Sequence, residues 1–133
     1  MSEPAPQPVG RSGSGGRPRA GRPLDVAISS AIVGLVRDCT GRGPTNARTS
    51  IHDSTVLVML EDTLTKGERM LVGKGRQEEV LALRIEFQGV MRADASAIVE
   101  GLTGRRVVAM MGADLLEPSL AAEIFVLDGP PDR

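Results

Sequence analysis

Aromatic side chains are nearly missing from this chain. Its 133 residues include two, Phe87 and Phe125, with no Tyr and no Trp. Any core must therefore be aliphatic, built from Val, Leu, Ile, Ala and six Met. The same absence argues against single-stranded nucleic-acid binding, which stacks bases on aromatic faces. The lone cysteine, Cys39, excludes an intramolecular disulfide. The lone histidine, His52, falls on a different predicted element from Cys39, so no nucleophile–base pair can be read. No His, Cys, Asp and Glu residues cluster at metal-ligand spacing. Neither a metal nor another cofactor is expected. No apolar run approaches the roughly 20 residues that span a bilayer. Residues 1–23 also lack the apolar centre of a secretory signal. The expected location is cytoplasmic, or peripheral on the inner face of a membrane.

What is present is unevenly spread. Residues 1–23 hold Pro4, Pro6, Pro8, Pro18, Pro23 and the run Ser12-Gly13-Ser14-Gly15-Gly16. Such a segment buries too little apolar surface to offset its ordering entropy, so a disordered tail is expected. Four arginines against Glu3 make the tail basic, whereas twelve basic and sixteen acidic residues make the remainder mildly acidic. A basic tail can touch nucleic acid or an anionic membrane, but four scattered arginines fit a solubilising segment better.

Beyond the tail, the hydrophobic periods predict one α+β domain over 24–127 and a frayed end over 128–133. Leu24, Ile28, Ile32, Leu35 and Cys39 share one helical face, predicting a helix over 25–40 capped by Asp25 and stopped by Gly41. Strands follow over 47–52 and 55–61, joined by a turn at His52-Asp53-Ser54. Thr65 and Glu68 have capping-box spacing, which starts a short helix ending near Gly73. Val80, Leu83, Phe87, Met91, Ala95, Ile98 and Leu102 then mark the inner face of a long helix over 76–103. Gly89 and Asp94 are candidate kink positions. Strands over 106–111 and 121–127 close the chain, with 112–120 read as a loop.

The order α-β-β-α-α-β-β predicts a four-stranded, mainly antiparallel sheet with helices on one face. Three of the four strands are apolar on both faces. Helices on one side leave the other side uncovered, which is unusual for a monomer. Burial of that second face or an edge by another copy, in a homodimer, is the expected solution.

Candidate chemistry is sparse. Gly41-Arg42-Gly43-Pro44-Thr45 could hold an anion through backbone amides and a guanidinium. It lacks the Gly-Lys-Ser/Thr ending of a phosphate loop and follows a helix C-terminus, where the dipole disfavours anions, so it also reads as helix termination. Arg84 and Arg92, eight residues apart, share a helix face and form either an anionic-ligand surface or a solvated or dimer-bridging one. Asp62 reads as an Asx-type turn residue, and Glu78, Glu79 and Glu86 as solvated.

Several segments together resemble the MpsC-like family, named for a subunit of a Na+-translocating membrane-potential-generating system. They are Gly41–Thr45, Leu60–Arg69, Phe87-Gln88 with Met91-Arg92, Val99–Arg105 and Glu123–Leu127. The resemblance covers about residues 25–127. It implies a small bacterial accessory domain, associated with a membrane cation or inorganic-carbon transport system and without an assigned catalytic site. Members often carry Ser-Asp-Asn-His after the third strand. Here Gly112-Ala113-Asp114-Leu115 stands instead, leaving Asp114 as the one polar loop candidate.

The sequence reading is therefore a non-enzymatic accessory or interaction domain, homodimeric, with a membrane-transport complex as the implied partner. The alternative is a small-anion or metabolite-binding module using Arg42, Gly43, Thr45, Arg84 and Arg92. A small enzyme using Asp62, Asp114 or His52 is the third.

Overall fold

The computed structural model describes residues 23–132, so the predicted disorder over 1–23 lies almost wholly outside the described residues. Helix α1 spans Leu24–Thr40 and strands β1 and β2 span Asn46–His52 and Thr55–Glu61. Helices α2 and α3 follow over Lys66–Gly73 and Gln77–Thr103, then strands β3 over Val107–Leu115 and β4 over Leu120–Leu127. All neighbouring strands are antiparallel, in the order β1-β2-β4-β3. The predicted class and element order match.

Local chemistry explains most boundaries. Gly41 and Gly104 end α1 and α3 at φ 85° and 72°, where a side chain would be strained. The Thr65 hydroxyl accepts from the Glu68 amide at 3.2 Å, and the Glu68 carboxylate accepts from the Thr65 amide at 2.8 Å. The capping box at the start of α2 is therefore complete. Asp25 sits in the first turn of α1 instead of capping it; Pro23 holds the cap position. Helix α3 runs through Gly89 and Asp94 as one helical segment of 27 residues.

The core lies between the helices and one sheet face. Ile28, Ile32 and Val36 of α1 and Ala95 and Val99 of α3 pack against Val56, Val58, Leu60, Ala121, Phe125 and Leu127. Along β2 burial alternates strictly, so Leu57 and Met59 turn to the opposite face. Register places Leu57 beside Ile124, and Ile124 beside Met111. That apolar row crosses the face away from the core.

Two sequence expectations need correction. Residues 112–115 are not a loop: β3 continues through Leu115, pairing Gly112 with Glu123 and Asp114 with Ala121. Backbone pairing with β4 satisfies these groups, which local composition did not reveal. On α3, Leu83 is 40% exposed while Arg84 is 6% exposed, so the inward line runs through Val80, Arg84, Ala95 and Val99. A charged partner supplied by other elements lets Arg84 occupy a core position. At the C-terminus, Asp128 and Asp132 amides donate to the carbonyls of Arg106 and Thr103.

Candidate functional site

Three arginines converge on the turn between β2 and α2. Asp62 adopts φ 60° there, a left-handed conformation that Asp tolerates better than bulkier residues. Arg42 Nη1 donates to the carbonyls of Asp62 and Leu64, and its Nη2 meets Asp62 Oδ2 at 2.9 Å. Arg69 Nη2 reaches Asp62 Oδ1 at 2.6 Å and the Leu64 carbonyl at 3.3 Å. Arg84 Nη1 donates to the intervening Thr63 carbonyl at 3.3 Å. Hydrogen bonds from Arg69 and then Arg42 hold the Asp62 carboxyl down at about 2. Asp62 thus works through two guanidinium groups, not through the Asx-type bond expected from sequence.

Behind this turn lies a buried polar cluster. Glu68, having capped α2 with Oε1, also accepts from Arg84 Nη1 at 3.2 Å on the same oxygen. Its Oε2 is buried with no hydrogen-bond partner among the described residues. Arg84 Nη2 lies 3.5 Å from Asp114 Oδ1, and Gln88 Nε2 donates to Asp114 Oδ2. One turn further along α3, Arg92 Nη1 donates to the Met110 carbonyl at 3.3 Å. Arg84, Gln88 and Arg92 therefore form a polar stripe at four-residue spacing that faces β3.

Glu123 joins the cluster from β4. It stands in phase, two residues apart, with Ala121, Phe125 and Leu127, so the strand turns it toward the helices. Gly112, its partner across the ladder, provides the room: a Cβ at 112 would lie 2.6 Å from Glu123 Oε1 and 2.9 Å from the Ala122 carbonyl oxygen. Burial, reinforced by the Asp114 charge, pushes the Glu123 carboxyl up to about 7. Burial likewise raises Asp114, against the pull of Arg84. Three carboxyls thus share one buried guanidinium. Chemically the cluster is a proton-accepting site, with Glu123 changing charge near neutrality.

The structure divides the anion-site residues of the sequence reading. Arg42 and Arg84 do approach each other's surroundings, through successive carbonyls at 62–64, but each is already met by a carboxylate. Gly43 packs beside Val33 and Arg37. Thr45 lines a separate cleft of about 660 Å3 between α1 and β1, with Arg37, Asn46, Arg48 and Thr49. His52 lies exposed at the β1–β2 hairpin, at the opposite end of β2 from Asp62. Gln88, Gly112 and Glu123 were not read from the sequence as site residues, and Glu68 was read only as a capping acid. A signal existed for one of them: Glu123 is the single charge in the apolar run of β4, at an inward position by period two. Among the described residues no group of three or more His, Cys, Asp or Glu could hold a metal ion.

Fold and cluster together define a small α+β domain whose arginines organise its own turns and whose polar interior belongs to the α3–β3–β4 layer. No described helix is long and apolar enough to cross a membrane. The family model described as Na+-translocating membrane potential-generating system (MpsC) matches residues 22–129, and the chain belongs to this family. No curated protein and no solved structure matches it.

Proposed function

We propose that this is a non-enzymatic accessory domain that works through protein contacts, as a homodimer, on the cytoplasmic side of a membrane cation-translocating system. The family name supplies the membrane context. The observation that carries the contact role is the placement of exposed large hydrophobics. Met70, Leu71, Leu81, Leu83, Ile85, Val90, Val108, Met111 and Leu115 all lie on α2, α3 and β3, whereas α1 and the other strands contribute only Val26. They fall into separate patches, among them two lines of α3 and the far face of β3, and exposed apolar patches of this kind mark interaction surfaces. The consumption of Arg42, Arg69 and Arg84 by internal partners supports a structural role for them. Sedimentation equilibrium of the full chain at micromolar concentration is the test: a dimer is expected, and a stable monomer overturns the homodimer.

The α1–β1 cleft favours a second reading, a small-anion module. Arg37 makes no ion pair among the described residues, and Arg48 makes only an exposed 3.4 Å contact with Glu61. Thermal-shift measurements with bicarbonate, phosphate and nucleotides test it. A shift abolished by Arg37→Ala supports an anion site there, and no shift with any of them removes it.

A further inference from the structure

Resting on the homodimer reading, we infer that the second copy docks along one outer line of α3, antiparallel to the first, about a two-fold axis at Ile85. The line consists of Glu78, Leu81, Ile85, Gly89 and Arg92. Their spacing of three, four, four and three residues puts all five on one side of the helix. Leu81 is 38% and Ile85 67% exposed, and the other three are exposed as well. The line is symmetric about Ile85. Two antiparallel copies set Ile85 against Ile85, Leu81 against Gly89, and Glu78 against Arg92, each of the last two twice.

Size and charge both fit. Gly89 presents open space, since a Cβ there would meet nothing within 4 Å. A leucine from the facing helix can enter that hollow, as ridges enter grooves when helix axes lie about 8–10 Å apart. Glu78 has no ion-pair partner among the described residues. Arg92 makes one bond, to a backbone carbonyl, and no ion pair. The pairing therefore supplies each with an opposite charge. The other exposed apolar line of α3, through Leu83 and Val90, is flanked by Glu79, Glu86 and Asp94, so self-pairing there would set like charges together.

The sheet agrees with this choice. Gln88 and Arg92 reach from α3 onto Asp114 and Met110 of β3, so the line overlooks that edge of the sheet. No described strand lies beyond β3, so this edge is open beside α3, while the exposed Met111 and Leu115 lie on the far face with Leu57, outside the α3 contact. At the other edge, β1 carries Arg48 and His52, the kind of charged and polar residues that keep an edge unpaired.

The test uses the full chain with Cys39→Ser and Ile85→Cys. A residue facing its own copy across a two-fold forms an intermolecular disulfide readily, and the expected result is near-complete oxidation to a covalent dimer. Leu57→Cys, on the far sheet face, should remain monomeric on the same gel. Independently, Glu78→Arg or Arg92→Glu should weaken the dimer about tenfold, and the double reversal should restore it. A dimer that cross-links through Leu57→Cys and not Ile85→Cys overturns this interface while leaving the homodimer standing. A chain that sediments as a monomer overturns both.

Discussion

Asp62 and Glu123 are both carboxyls within reach of arginine fields, yet their acidities diverge in opposite directions. Asp62 stands at the surface, with two guanidinium groups to itself, and is held at about 2. Glu123 is withdrawn from water, shares Arg84 with Asp114, has Arg92 as its other nearby cation, and is raised to about 7. The difference teaches that proximity to arginine does not set the sign. Solvent access and the number of cations per carboxyl do.

The sharpest way to break the contrast is to remove Arg84. Arg84→Met leaves Glu68 and Asp114 buried without their cation, and a loss of about 3–5 kcal/mol in urea unfolding is expected. A loss under about 1 kcal/mol would show that these buried ion pairs contribute little net stability. Glu123→Gln probes the raised acid directly. With a folded value near 7 against an ordinary 4.5, the native state binds the proton more tightly than the unfolded chain does. Stability from this group is complete below about pH 4.5, falls as pH rises through 7, and then levels off. Glu123→Gln should therefore raise stability at pH 8 by about 2–3 kcal/mol and change little at pH 4. Equal effects at both values would contradict the raised pKa.

A third variant, Gly112→Ala, places a methyl group against Glu123 Oε1 and the Ala122 carbonyl. The expected loss is about 1–2 kcal/mol, because the backbone oxygen cannot swing away. Asp62→Asn should have the smallest effect at neutral pH, since its two ion pairs are partly exposed and screened by solvent. Its signature lies in acid. The depressed carboxyl stabilises the fold above about pH 4 and loses that contribution as pH falls through 2. The variant's stability profile should be flatter over that interval.

Much of this fold could be read from local signals. Thr65 and Glu68 announced the start of α2, Gly41 the end of α1, and short apolar runs bounded by turn residues the strands. The site was less legible, because its members meet through register and packing. Arg84 gives no local sign that Glu68 and Asp114 lie beside it, so the neighbouring Leu83 looked like the inward residue. Gly112 through Leu115 looked like a loop because glycine and aspartate favour turns, while the pairing with β4 that makes them a strand comes from residues five to eleven positions away. Arg42 was recognisable as unusual, but not as a clamp on a turn twenty residues later.

The notch at Gly112 has a consequence for how this chain tolerates sequence drift. The space that one strand leaves empty is occupied by an acid from its neighbour, so positions 112 and 123 hold a single shared volume. The constraint runs one way: a side chain gained at 112 meets the acid at 123 and the Ala122 carbonyl oxygen, whereas 123 can shrink or lose its charge with glycine kept at 112. A glutamate at 123 is thus expected to keep glycine at 112 among descendants.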